Sequence, residues 1–273
     1  MNGKRTVFFV SDRTGITAET LGHSLLTQFD AEFEQVTLPF TDNPDRARAV
    51  LQQIQGANEA NGSRSIVFST IIDDEVREII RGADAVVFDF FDTFIAPLER
   101  ELDVRSSHTI GRSHGLVDNT MYDVRIDAMN YALNHDDGAT TRHYHQADII
   151  MVGVSRCGKT PTCIYLALQY GIYAANYPLT DEDLSMGALP KDLEPHANKL
   201  YGLTILPERL EKIRAERRPN SRYASLRQCQ YEVARAEAIF RRERIPFVNT
   251  TTRSIEEIAT TILHETRLKR RLY

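Results

Sequence analysis

Residues Ala147 to Thr160 read ADIIMVGVSRCGKT, and the fold follows from this stretch. Ala147–Val152 is a short apolar run of the kind a buried parallel strand shows. Gly153–Thr160 (GVSRCGKT) satisfies G-x-x-x-x-G-K-[ST]. Pro161–Tyr170 continues as a helix, with Pro161 in the first turn, where its missing N–H has no intrahelical partner. Gly153 and Gly158 permit backbone angles that turn successive N–H groups inward as an anion nest. Lys159 can reach terminal phosphate oxygens, the Thr160 hydroxyl suits Mg²⁺, and the helix start aims its positive dipole end at the phosphates. Val154, Ser155, Arg156 and Cys157 complete the loop, and Arg156 brings a positive charge for a transferring phosphoryl group. A chance match of this pattern in such a chain occurs roughly once in a hundred. The competing reading is a glycine-rich turn that holds no ligand.

After this loop, Ile172–Tyr177, Tyr201–Ile205 and Pro246–Asn249 read as strands. Glu208–Arg217, Arg222–Arg244 and Ser254–Arg270 read as helices, the last with Ser254 as N-cap and Glu257 at the capping-box position. Before it, His135–His145 (HDDGATTRHYH) is polar and aperiodic and reads as a linker. Further upstream, strands are expected at Thr6–Val10, Val36–Leu38, Ser65–Ser69 and Ala85–Phe91, the last as a buried strand. Helices are expected over Ala18–Phe29, Asp45–Gln55, Asp73–Arg81 and Tyr122–Asn134, with an irregular stretch from Pro97 to Thr120. The fold class is α/β: an N-terminal mostly parallel α/β domain over 1–140, then a P-loop kinase-like α/β domain over 141–273. No internal repeat is visible in the sequence.

The 273 residues carry 33 Lys plus Arg against 38 Asp plus Glu, a net charge of −5. That balance argues against general nucleic-acid binding, which needs a positive field. The basic run Arg267–Arg271 (RLKRR) reads as a solvated helix terminus. No apolar run approaches the length of a membrane span, so no membrane association is expected. Three cysteines, Cys157, Cys163 and Cys229, show neither a CxxC pair nor metal-ligand spacing. A reducing compartment and a cytoplasmic location are therefore expected.

The usual companions of the loop are missing. No later strand candidate ends in Asp, and Asn198–Lys199 is followed by Leu200 and Tyr201 rather than by the N-K-x-D pattern. GTPase switches and motor ATPases are disfavoured. Asp136 and Asp137 lie ahead of the loop as candidates for a base or for Mg²⁺ ligands, or else form a solvated turn. Ser11–Gly15 (SDRTG) is a second polar loop between strand and helix, where Ser11, Asp12, Arg13 and Thr14 either touch a ligand or simply cap a helix. Asp89 reads as a strand-end residue. His108, Arg112 and His114 cluster in the irregular stretch without a complete metal-ligand set. Cys157, beside a helix start, is either a loop residue or a thiol of lowered pKa.

Several segments together resemble the phosphoenolpyruvate synthase regulatory proteins, relatives of the pyruvate, phosphate dikinase regulators. They are Val10–Phe29, Tyr122–Gly138, Ala147–Leu179, Tyr201–Arg214 and Ser254–Leu263. The resemblance runs nearly end to end, and Arg156–Lys159 (RCGK) is similar to the synthase branch. It implies a bifunctional phosphotransferase with phosphoenolpyruvate synthase as its protein substrate. In one direction the β-phosphoryl of ADP passes to a threonine of the target, releasing AMP. In the other, inorganic phosphate attacks the phosphothreonine and releases pyrophosphate. On this resemblance Gly153–Thr160 would hold ADP or inorganic phosphate, Lys159 and Arg156 would neutralise developing charge, and Thr160 would hold Mg²⁺. Asp137, preferred over Asp136, is the candidate threonine base. A homodimer is compatible with the reading. A P-loop kinase of a small metabolite and a non-catalytic adenylate-sensing regulator remain as alternatives.

Overall fold

A computed structural model of the chain describes residues 5–106 and 119–272. The chain divides into two compact units, Met1–Gly115 and Leu116–Tyr273.

The first unit alternates strand and helix: β1 (Arg5–Ser11), α1 (Ile16–Leu26), β2 (Phe33–Leu38), α2 (Pro44–Asn61), β3 (Ser65–Thr70), α3 (Asp74–Arg81), β4 (Ala85–Asp89) and α4 (Phe90–Leu102). Its sheet has the order β2-β1-β3-β4, with every pair parallel. The apolar run in β1 is buried on both faces, as period-two alternation between two helical layers demands. Phe8 and Val10 pack with Ala47, Val50 and Ile54 of α2 and Ile80 of α3. Val7 and Phe9 pack with Ala18 and Leu26 of α1 and with Phe90 of α4.

The second unit comprises α5 (Asn119–Asn134), β5 (Ile149–Gly153), α6 (Lys159–Tyr170), β6 (Ala174–Pro178), α7 (Asp181–Met186), β7 (Leu200–Thr204), α8 (Pro207–Arg217), α9 (Leu226–Glu243), β8 (Phe247–Asn249) and α10 (Ile255–Thr266). Its parallel sheet has the order β6-β5-β7-β8. Both units thus share one strand permutation, a repeat of topology that the residues do not display. In each, the chain runs from an inner strand to its neighbour on one side and then crosses to the other side. The gap between first and third strands is a topological switch point, where ligands bind in open α/β sheets. Ser11–Gly15 in the first unit and Gly153–Gly158 in the second leave the sheet at this same place.

Several expectations are corrected. Ala85–Phe91 is not a fully buried strand: β4 is an edge strand with Val86 and Phe88 exposed, and Phe90 already belongs to α4. Helix α4 carries Pro97 inside it, where an irregular stretch is expected. His135–His145 is no linker. It holds two 3₁₀ turns, buries Tyr144 completely, and stacks His135 on Tyr131. Helix α5 packs on α6 and β6, so it belongs with the second unit. The basic run begins at the C-cap of α10, Arg267, as expected, but its later residues leave the helix and make contacts of their own. Arg270 lies over the Tyr170 ring, and Arg271 lies over Tyr173 and pairs with Asp148. The capping box at Ser254 and Glu257 is present as expected. Among the described residues no helix is long and apolar enough to cross a membrane.

Candidate functional site

The loop Gly153–Thr160 is organised by what its carbonyls do. Gly153 O accepts the Leu179 N–H, Ser155 O accepts Arg214 Nη2 at 3.0 Å, and Cys157 O accepts Thr250 Oγ1 at 3.0 Å. Gly158 O accepts both the N–H and the hydroxyl of Thr162. A peptide plane whose carbonyl is tied outward presents the following N–H on its opposite edge. The N–H groups of Ser155, Arg156, Gly158 and Thr160 find no acceptor among the described residues. The result is a cradle of free donors at the start of α6, suited to an anion. Arg156 (φ 75°) and Gly158 (φ 99°) take left-handed backbone there. Gly153 is required for a second reason: a Cβ would lie 2.4 Å from Leu203 O of β7.

Lys159 is 4% exposed, and its ammonium donates to Val154 O of its own loop at 2.9 Å. A phosphate oxygen entering the cradle would replace that carbonyl, so the lysine is held in place without a ligand and released by one. Thr160 Oγ1 donates to Asp136 Oδ1 at 2.7 Å. Asn176 Nδ2 donates to the same carboxylate oxygen in a short contact, while Asn176 Oδ1 accepts the Asp137 N–H at 3.0 Å. The turn is thereby split. Asp136 faces the loop threonine, and Asp137, with left-handed backbone (φ 49°), is exposed beside it.

Beneath the loop lies a buried ion pair. Arg214 is fully buried and meets Glu232 through two hydrogen bonds of 3.1 and 2.6 Å. Its guanidinium also donates to Tyr223 O and lies over the Tyr223 ring. The Tyr223 hydroxyl in turn pairs with Ser155 Oγ at 3.0 Å. One arginine therefore sets both the carbonyl and, through Tyr223, the side chain of Ser155. Its pairing with Glu232 keeps its pKa raised against the cost of burial. Cys157 is buried, and burial pushes its thiol pKa up, so of the two readings offered by the sequence the loop residue holds and the lowered thiol does not.

The structure thus brings Gly153–Thr160 together with Asp136. Arg214, Tyr223, Asn176 and Thr250 also belong to the site, and sequence reasoning missed all four. No spacing rule links them to the loop, because they arrive from β6, α8 and the segments flanking α9 and β8. Asp12 is buried at the end of β1, with Oδ2 accepting the Ile72 N–H. Asp89 is buried and caps α4 through Oδ1. His108, Arg112 and His114 lie outside the described residues. No group of three or more His, Cys, Asp or Glu side chains among the described residues gathers as a metal site of its own. A Mg²⁺ held with a nucleotide needs only one or two protein oxygens beside phosphate oxygens, and Thr160 with Asp136 fits that donor set.

The kinase/pyrophosphorylase family model matches residues 7–263. A phosphoenolpyruvate synthase regulatory protein of Alkalilimnicola ehrlichii is 68% identical over 270 residues, covering 99% of this chain and 98% of the relative. One from Halorhodospira halophila is 64% identical over 273 residues, covering both chains completely. One from Marinobacter nauticus is 56% identical over 268 residues, covering 98% of this chain and 99% of the relative. With a free anion cradle in the second unit and a match spanning both units, the chain belongs to the kinase/pyrophosphorylase family.

Proposed function

We propose that this protein is a bifunctional phosphotransferase acting on a threonine of phosphoenolpyruvate synthase, with ADP as donor in one direction and inorganic phosphate as acceptor in the other. The observation that carries it is the cradle formed by the unpartnered N–H groups of Ser155, Arg156, Gly158 and Thr160, with Lys159 at its edge. Relatives that match over almost the whole chain are named as regulators of that synthase.

Both directions place a phosphate in one cradle. In the kinase direction threonine Oγ bonds to the β-phosphorus of ADP, the bridging bond to the α-phosphate breaks, and AMP leaves with its new charge. In the reverse direction an orthophosphate oxygen bonds to the same phosphorus, the threonine Oγ–P bond breaks, and Oγ takes back a proton. The α-phosphate that leaves and the orthophosphate that attacks are both tetrahedral anions. The loop N–H groups, Lys159 and Arg156 stabilise either one as its charge changes. Asp137 stands exposed beside the cradle to take the threonine proton in one direction and return it in the other. Thr160 and Asp136 would hold Mg²⁺, which supplies charge neutralisation between phosphate oxygens when bound. Asp136 also holds the Thr160 hydroxyl in place, and Arg214 and Tyr223 hold Ser155.

The test incubates the protein with phosphoenolpyruvate synthase, Mg²⁺ and either β-labelled ADP or γ-labelled ATP kept free of ADP, with a Lys159→Ala control. Label on a synthase threonine from ADP alone, lost in the control, is the expected result. Label from ATP alone would refute the ADP-dependent reading. Absence of label from either, with a dikinase target also unlabelled, would favour a metabolite kinase or an adenylate sensor.

A further inference from the structure

The first unit repeats the arrangement that makes the Gly153–Thr160 loop an anion cradle. The loop Ser11–Gly15 leaves β1 at the same switch point of an identically ordered sheet. Its carbonyls are also tied outward: Ser11 O accepts the Thr41 N–H at 2.8 Å and Arg13 O accepts the Phe40 N–H at 2.7 Å. Gly15 has left-handed backbone (φ 82°) and caps α1 without a side-chain hydrogen bond, as Gly158 does for α6. The N–H groups of Thr14 to Ala18 find no acceptor among the described residues.

A separate observation points into this cradle. Thr70, at the end of β3, is 4% exposed, and its hydroxyl has no partner among the described residues. Thr70 pairs with Ser11 two residues beyond the Phe9–Phe68 pair, so all four side chains stand on the α1 face of the sheet. Gly22 of α1 rests on that phenylalanine pair, since a Cβ there would meet Phe9 and Phe68 carbons at 2.5 and 2.6 Å. Thr70 lies about 6.6 Å further along the strands. Ala18 precedes Gly22 by four residues, about 6 Å along the helix in the same direction. The hydroxyl of this largely buried residue is therefore level with the free first turn of α1. Arg13 is exposed and forms no close ion pair among the described residues, although its charge acts on the neighbouring Asp12 carboxylate. The Asp12 carboxylate accepts the Ile72 N–H through Oδ2 on the β3 side.

We propose that the first unit carries its own phosphate site, formed by the N–H groups of Thr14–Ala18, the Thr70 hydroxyl and the Arg13 guanidinium. Its ligand is a tetrahedral phosphate, either free orthophosphate or a phosphomonoester. The site is independent of the chemistry assigned to the Gly153–Thr160 loop and goes beyond it.

Calorimetric titration of the full chain with orthophosphate tests this, using wild type, Arg13→Gln, Thr70→Val, Thr70→Ser and Lys159→Ala, each checked for folding by its melting curve. Arg13→Gln should weaken one binding component about tenfold or more, and Thr70→Val should weaken the same component severalfold. Thr70→Ser should retain it, and Lys159→Ala should leave it in place. A phosphothreonine arm separates the sources: binding of either ligand in the Arg13- and Thr70-sensitive component supports the site and identifies which phosphate it takes. Wild-type binding of both ligands by folded Arg13→Gln and Thr70→Val would overturn it, as would the absence of any component that survives Lys159→Ala.

Discussion

The Thr160 hydroxyl donates to Asp136 Oδ1 at 2.7 Å across 24 residues of sequence. A carboxylate that usually arrives on a strand after such a loop arrives here from a turn before it. Replacing Asp136 by Ala should lower the rate of labelled phosphoryl transfer about 10- to 100-fold and raise the Mg²⁺ concentration needed. Loss of its bonds to Thr160 and Asn176 should cost about 1–3 kcal/mol of stability. An unchanged Mg²⁺ dependence in Asp136→Ala would remove the carboxylate from the metal-holding role.

Arg214 should separate stability from loop geometry. Arg214→Ala leaves Glu232 buried without its partner and should cost about 3–5 kcal/mol in denaturant unfolding. Tyr223→Phe keeps the ring under the guanidinium and removes only the hydroxyl that meets Ser155 Oγ. It should change stability by about 1 kcal/mol or less, yet weaken ADP binding measurably. Equal ADP affinity in Tyr223→Phe and wild type would show that Ser155 needs no such support.

The two loop glycines should fail for different reasons. Gly153→Ala drives a Cβ against Leu203 O, which is backbone of the neighbouring strand and cannot turn aside. The cost should be about 1–3 kcal/mol in urea unfolding. Gly158→Ala meets nothing within 4 Å but holds φ 99°, so its cost is backbone strain of about 1–3 kcal/mol. Because that strain falls on the cradle itself, ADP binding should suffer more in Gly158→Ala than stability does. Unaltered ADP binding in that variant would mean that the cradle tolerates a side chain there.

Asp12 has its pKa raised above 3.8, first by burial. A carboxyl with a raised folded-state pKa is penalised in the folded protein once pH exceeds the unfolded value, and the full penalty is present above the folded value. Asp12→Asn keeps an acceptor for the Ile72 N–H and removes the charge. Its melting temperature should exceed that of wild type at neutral pH, and the gap should close as pH falls toward the ordinary carboxyl range. A constant gap across pH would show that Asp12 carries no such penalty.

The α/β class, the strand–loop–helix at Ala147–Tyr170 and most strands were legible, because they rest on local period-two and helical patterns. The Ser254–Glu257 capping box was legible for the same reason: four consecutive residues contain the whole device. Pro97 inside α4 was not, since the residue argues locally against a helix. The segment from His135 to His145 misled because its burial comes from partners such as Tyr131 and Asn176, which its own composition does not reveal.

Gly153–Thr160 announced an anion loop by itself, since glycine freedom and a lysine at fixed spacing are written in eight consecutive residues. The choice of Asp136 over Asp137 as the partner of Thr160 needed the tertiary structure. Adjacent carboxylates are equivalent in sequence, and only the turn held by Asn176 points one inward and one outward. The same holds for Arg214, Tyr223 and Thr250. Their bonds to loop atoms close over tens of residues: 59 for Arg214–Ser155, 68 for Tyr223–Ser155 and 93 for Thr250–Cys157. Long-range contacts of that kind follow from how strands order in a sheet, which no local periodicity encodes.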